Sequence, residues 1–334
     1  MKRRIYFRAD GNSEIGLGHV VRCLGLAEVL NSEYDITFIT CNPSAIIRNE
    51  ILNVCHNIIE LSEDNLSDQA RTVAQITQFG DVLILDGHNF GSEYQKTIKE
   101  NSQAKLVSLD DLHDGHFYSD VIINHNSAVS PDSYVREAYT KLFVGFRYLL
   151  VRKEFQAQIP ERRIISANKN LFICIGGADP SNLTLKILTL CIELSCFDKV
   201  TVVTGSAYTK TDLLLSFIKE SKNVIHHSNV SAGKMVKLML DSDLAIIPSS
   251  SVSLEAMCVG LNLITGYFVD NQKELSEYIH KERLGYSIGD FLSYDNNSLK
   301  KLIFDNKDIS SYENQKRAIM ENPAENLLTI FRDL

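Results

Sequence analysis

Short apolar runs recur along this chain at intervals that fit alternating strands and helices. Ile5-Tyr6-Phe7 is too brief for a helix and rich in strand-forming side chains, so a strand is predicted to end near Arg8. After a glycine-punctuated polar stretch, Val20, Val21, Leu24, Ala27 and Leu30 lay one stripe along a helix. Ile36 to Ile39 reads as a strand, Leu66 to Phe79 as a helix, and Val82 to Leu85 as a buried strand ending at Asp86. Further strands are expected at Leu106 to Leu109 and Val121 to Ile123. Such strands separated by helices indicate a parallel sheet covered on both faces, with ligands gathering at the carboxyl ends of its strands. Those ends carry Asp10, Asn12, Asp86, His88, Asp110, Asp111 and Asn124.

The pattern breaks once. Between Arg152 and Asn170 the chain reads RKEFQAQIPERRIISANKN, charged and polar with a proline, which suits a linker. A second alternating run then starts at Leu171 to Ile175, turns at Gly176-Gly177 and continues as a helix from Leu183. Strands follow at Val200 to Val203, Asn223 to Ile225, Leu244 to Ile247 and Leu263 to Thr265, and Ser298 to Leu334 looks helical. The expected fold class is α/β: two doubly wound, Rossmann-like domains, 1–151 and 171–334, joined by 152–170 and facing one another across a cleft.

Composition narrows the function classes. The chain has 334 residues, 44% hydrophobic and 23% charged, the balance of a soluble globular protein. A formal net charge of −8 argues against a general nucleic-acid binder, which needs clustered Lys and Arg. No run is long enough for a membrane span, and MKRRIYFRAD lacks the apolar core of a secretory signal, so a cytoplasmic monomer is expected. The seven cysteines are scattered, mostly within apolar runs, and lack any C-x-x-C pair, which reads as reduced core residues.

Candidate chemistry concentrates at strand ends. In RADGNSEIGLGHVVRCLGLA, Gly16 and Gly18 remove side chains from a loop leading into a helix, whose unpaired amides can meet an anion. His19 stands at that helix start, where its neutral form is favoured and a general base is well served. The glycine spacing alone fits a tight turn with a solvated histidine equally well. Gly176-Gly177-Ala178-Asp179-Pro180 opens a second helix whose amides could hold a diphosphate. At Ser249-Ser250-Ser251 the alternatives are a phosphate site and a helix cap, and Glu255 either accepts ribose hydroxyls or complements the helix dipole. Asp110, Asp111, His113, Asp114 and His116 could ligate a metal, but their spacing does not establish converging geometry, and neither metal nor cofactor is expected. No G-x-S-x-G elbow supports a serine hydrolase, and Gly11, Gly16 and Gly18 do not form the regular dinucleotide fingerprint.

Five stretches in order, RADGNSEIGLGHVVRCLGLA, LDGHNFG, SLDD, FICIGGADPSN and SSSVSLEAMCVG followed by Asp270-Asn271-Gln272, resemble one family. They are similar to the hydrolases of UDP-2,4-diacetamido-2,4,6-trideoxy-β-L-altropyranose in pseudaminic acid biosynthesis and to related spore-coat polysaccharide proteins. The resemblance implies a fold like the GT-B glycosyltransferases and release of UDP by water attack at the anomeric carbon, with inversion and without metal. It implies that His19 activates or orients the water, that Gly176 and Gly177 lie near the diphosphate, and that Glu255 and Asn271 lie on the nucleotide and sugar side. Asp10, Asn12, Gly16, Gly18, Asp86, His88, Ser249, Ser250, Ser251 and Gln272 complete the expected substrate-binding set for a UDP-sugar. One departure stands out: where the family usually has Asp-x-Tyr, this chain has Asp86-Gly87-His88. A glycosyltransferase using a UDP-sugar donor is the runner-up, and a non-catalytic binding protein is a distant third.

Overall fold

A computed structural model of the chain describes residues 2–11, 17–62, 65–159, 169–305, 311–319 and 322–334. The chain divides into two compact units, Met1–Lys153 with Glu321–Leu334, and Glu154–Met320.

In the first unit, β1 (Arg4–Ala9), β2 (Asp35–Cys41), β3 (Asn57–Leu61), β4 (Val82–Asp86), β5 (Lys105–Leu109), β7 (Val121–Asn124) and β9 (Lys141–Val144) form one sheet. Its order is β3-β2-β1-β4-β5-β7-β9 and its paired strands are parallel. β6 (His116–Phe117) and β8 (Val135–Arg136) make a separate small pair. The continuous apolar run of β4 has a simple cause. Val82 and Ile84 face a core with Val20, Cys23 and Ala27 of the helix Gly18–Leu30, whereas Leu83 and Leu85 face a second core with Val73 and Ile98. Both faces are covered, so every side chain along the strand is buried.

The second unit repeats this order with β10 (Asn170–Ile173), β11 (Lys199–Thr204), β12 (Val224–Ser228), β13 (Leu244–Pro248), β14 (Asn262–Tyr267) and β15 (Tyr286–Asp290), arranged β12-β11-β10-β13-β14-β15 and parallel. Leu171, Ile173, Leu244 and Ile246 pack with Ile187, Leu188 and Cys191 of the helix Leu183–Leu194. In both sheets the order reverses beside the first strand, between β1 and β4 and between β10 and β13, the place where crevices open in doubly wound sheets.

The structure departs from the sequence expectation at the end of the chain. The stretch expected as one helical segment of the second domain contains helices at Asn296–Asp305, Tyr312–Ile319 and Pro323–Arg332, and the last belongs to the first unit. Leu327, Ile330 and Phe331 are buried in the core that also holds Leu30 and Tyr34, and Arg332 pairs with Glu33. An amphipathic helix goes where its apolar stripe is covered, and that cover lies in the first unit.

Candidate functional site

Register explains why distant acids meet in the first unit. Asp86, the last residue of β4, pairs with Ala9 of β1 on one side and Leu109 of β5 on the other, so the residues after β1 and β5 emerge beside it. The helix Gly18–Leu30 presents His19, Arg22 and Cys23, one turn apart on one face, to this strand end. His19 Nδ1 lies 2.8 Å from Asp86 Oδ1. Arg22 donates through Nε to Oδ2 at 2.8 Å and through Nη2 to Oδ1 at 2.5 Å, and Cys23 Sγ lies 3.5 Å from Oδ2. Asp86 is fully buried. Burial pushes its carboxyl up, but the charge and hydrogen bonds of Arg22, followed by His19, outweigh this and hold it below the usual carboxylate range. When the ring is neutral, a charged Asp86 fixes the tautomer of His19: Nδ1 carries the proton it donates, and Nε2 is the nitrogen left with a lone pair.

A second imidazole adjoins the first. His88 meets His19 edge-on with ring centroids 4.8 Å apart, and its Nε2 lies 3.0 Å from Asp111 Oδ1. The other Asp111 oxygen is 3.4 Å from Arg22 Nη1. Burial would raise the Asp111 carboxyl, yet Arg22 and the hydrogen bond from His88 hold it well below its ordinary value. The same hydrogen bond, donated to Asp111, raises the His88 imidazole against a smaller opposing effect of burial. His125, just beyond β7, is buried with Nδ1 accepting Leu150 N–H at 3.2 Å, and burial, then Arg22, lowers it to about 3.

Other expected site residues of the first unit have different duties. Asp10 is clasped by the buried Arg8 at 2.5 and 2.7 Å and accepts Cys41 N–H at 2.7 Å and Thr40 Oγ1 at 3.2 Å, so it braces the strand ends. Asn12 and Gly16 lie outside the described residues. Gly18 begins its helix without a side-chain cap, and a Cβ there would meet nothing within 4 Å. The acidic and histidine cluster from Asp110 to His116 diverges: Asp110 accepts Tyr134 Oη at 2.7 Å and His113 N–H at 2.9 Å, while His116 turns to Glu137 at 2.9 Å. Among the described residues no group of three or more His, Cys, Asp or Glu side chains is placed to hold a metal ion.

In the second unit Gly176 adopts φ +88° with open space where a Cβ would stand, and Gly177 lies so close to Gly205 that a Cβ on the latter would come within 2.5 Å of the Gly177 Cα. Gly176 and Gly205 are therefore required by backbone geometry. The helix after them does not offer its first amides as expected, because Asp179 accepts Leu183 N–H and Thr184 N–H, each at 2.8 Å. The start of Ser251–Val259 differs. Ser250 stands at its N-cap without a side-chain cap bond, while Ser249 Oγ pairs with Thr265 Oγ1 at 2.7 Å. Neither serine caps the helix, which leaves its first turn open to an anion together with the Ser251 hydroxyl. Glu255 lies in the second turn of that helix and is 4% exposed. Asn271 sits in the turn Asp270–Gln272, whose Gln272 accepts Phe268 N–H at 3.2 Å and so closes the turn.

Of the polar groups in the first cluster, the sequence did not single out Arg22, and it pointed to Asp111 only as a strand-end acid and possible metal ligand. The available signal was spacing: Arg22 is three residues after His19 and must share its face.

The chain is 29% identical over 290 residues to the UDP-2,4-diacetamido-2,4,6-trideoxy-β-L-altropyranose hydrolase of Campylobacter jejuni, covering 85% of this chain and 98% of that protein. It is a relative of that hydrolase. It is also 28% identical over 271 residues to the spore coat polysaccharide biosynthesis protein SpsG of Bacillus subtilis, covering 79% of this chain and 77% of that one. No protein-family profile matches the chain. Among solved structures, the glycotransferase of kitacinnamycin superposes with a TM-score of 0.67 at 12% identity, over all of both chains. Arabidopsis thaliana UGT89C1 complexed with UDP superposes with a TM-score of 0.69 at 11% identity, over 99% of each chain. These establish the fold as GT-B-like, built of two Rossmann-like domains.

Proposed function

We propose that this protein is a nucleotide-sugar hydrolase that releases UDP from a UDP-linked diacetamido-trideoxy sugar by water attack at the anomeric carbon, with inversion. The observation that carries the reading is the 2.8 Å contact between His19 Nδ1 and the buried, charged Asp86. A histidine so oriented offers Nε2 as a base, the same division of labour as in His–Asp pairs of other hydrolases. Water oxygen bonds to the anomeric carbon as its proton passes to His19 Nε2, and the bond to the diphosphate oxygen breaks with its electron pair leaving on UDP. The leaving group is a good one, so the transition state chiefly requires a placed water, a base and stabilisation of the departing charge. For the nucleotide, the reading assigns phosphate oxygens to the uncapped start of Ser251–Val259 and ribose hydroxyls to Glu255. The name of the Campylobacter relative supports the sugar, and the UDP complex of a protein with this fold supports the nucleotide. The reading takes the protein as a cytoplasmic monomer.

The test is incubation with UDP-2,4-diacetamido-2,4,6-trideoxy-β-L-altropyranose in ¹⁸O-water, with and without an acceptor sugar. Hydrolysis at carbon places the label on the sugar, and NMR of the nascent product reports the inverted anomer. Label on UDP, or UDP release only with acceptor, contradicts the proposal; the latter identifies a glycosyltransferase.

A further inference from the structure

The proposed step uses no group from β7, although this strand ends in the same row as the His19 cluster. Asp86 of β4 pairs with Leu109 of β5, and Leu109 pairs with Ile123 of β7. Neighbouring strands run about 4.8 Å apart, so β7 ends about 10 Å from Asp86. His125 stands two residues past that row, level with Asp111, and the charges of Arg22, Asp111 and Asp86 all act on its ring.

The hydrogen bonding of His125 leaves one donor over. Leu150 N–H donates to Nδ1 at 3.2 Å, which a protonated Nδ1 could not accept. The side chain is 6% exposed, and burial, then the charge of Arg22, keeps the ring neutral. A neutral imidazole whose Nδ1 accepts carries its proton on Nε2. That N–H donates to no described residue, and a buried donor without an acceptor is costly. The flanking amides are engaged in holding the loop: Asn124 Nδ2 donates to Tyr134 Oη at 2.8 Å, Asn124 Oδ1 accepts Asn126 N–H at 2.8 Å, and Asn126 Oδ1 accepts Ala128 N–H at 2.9 Å. His19 and His125 are thus opposite tautomers, one with a lone pair on Nε2 and the other with a proton there.

We infer that His125 is a substrate-binding residue whose Nε2–H donates to an acceptor oxygen on the side of the sugar ring remote from the attacked carbon. The inference rests on the proposed UDP-sugar reading and deepens it, because it adds a fixed donor at the end of β7 to the base at His19. A neutral ring offers only a donor at that point, so the sugar must present a lone pair to it. The contact orients the sugar and exchanges no proton.

Two substitutions separate this duty from the bond to Leu150. Asn sets its Oδ1 where the ring has Nδ1, keeping the acceptor for Leu150 N–H and leaving nothing at Nε2. Gln carries its amide N–H₂ out to the position of the ring Nε2, keeping the donor and losing the acceptor. His125→Asn should lower kcat/KM for the diacetamido sugar nucleotide about ten-fold with the inhibition constant of UDP within about two-fold, and His125→Gln should stay within about three-fold of wild type in kcat/KM despite a lower Tm. Wild-type kcat/KM in His125→Asn, or an equal loss in both variants, overturns the assignment. By ¹⁵N NMR the wild-type ring should be the Nε2–H tautomer throughout, between about pH 5 and 8; a proton on Nδ1 or a titration in that range overturns it as well. If the wild type releases no UDP from that sugar nucleotide, the function reading fails by itself, and His125 is then read from its Nε2–H resonance. A shift on saturation with UDP-glucose that UDP alone does not produce supports the contact; no shift, or the same shift with UDP, overturns it.

Discussion

Replacing Asp86 by Asn exchanges one carboxylate oxygen for NH₂ and removes one unit of charge at a heavily bonded point of the first unit. Asp86 accepts from His19 at 2.8 Å and from Arg22 at 2.8 and 2.5 Å, and Arg22 is 5% exposed. The amide would leave the guanidinium buried without its main counter-charge and turn an N–H₂ toward a donor. Breaking a buried pair by altering one partner costs about 3–5 kcal/mol. Asp111 remains 3.4 Å from Arg22 and offsets part of this, so about 3 kcal/mol is expected. Because Asp86 ends β4, hydrogen exchange of the amides of β4 reads the loss nearer its source than a whole-chain melt. The sign with pH follows from the depressed Asp86 carboxyl: its contribution is present above the unfolded value of about 3.9 and is lost as pH falls through the folded one. The difference between wild type and Asp86→Asn should therefore shrink below about pH 4. Arg22→Met combined with Asp86→Leu, which removes both charges, should recover most of the loss. A single variant within about 1 kcal/mol of wild type near neutral pH would refute the reasoning, since that is less than an ordinary buried hydrogen bond to a charge contributes.

Two further outcomes follow from the same geometry. His88 should titrate above the ordinary histidine value by NMR, its stabilising contribution being present below about pH 6.5 and lost as pH rises through the folded value, and Asp111→Asn should bring the titration down; no movement would remove the Asp111 contact as its cause. Glu255→Ala should weaken UDP binding by about 1.5–3 kcal/mol in calorimetry, the range for hydrogen bonds to a charged group, whereas unchanged affinity in a folded variant would take Glu255 out of the nucleotide site.

The central strands were legible because a strand buried on both faces must be apolar throughout. β1, β2, β4, β10 and β13 stand where runs such as Val82 to Leu85 place them. β3, β9 and β15 escaped because they lie at sheet edges, where Asn57-Ile58-Ile59-Glu60 and Tyr286-Ser287-Ile288-Gly289 are partly exposed and lose the signal. His19 and Asp86 could be read as site residues from their positions at a helix start and a strand end. Their joining could not, because it depends on which strands are neighbours. The same limit hid the duties of Asp10 and Asp179: a carboxylate at a strand end looks the same in sequence whether it faces a ligand, a buried Arg8 or the amides of the next helix.

The most direct measurement is the pairing of turnover with UDP affinity in His19→Asn. If His19 Nε2 takes the proton of the attacking water, removing it should lower turnover by roughly 10² to 10⁴, the usual contribution of a general base, and leave UDP affinity within a few-fold of wild type. Near-normal turnover with weakened UDP binding would contradict the account, making His19 a ligand contact and shifting the search for the base to Asp86 and His88.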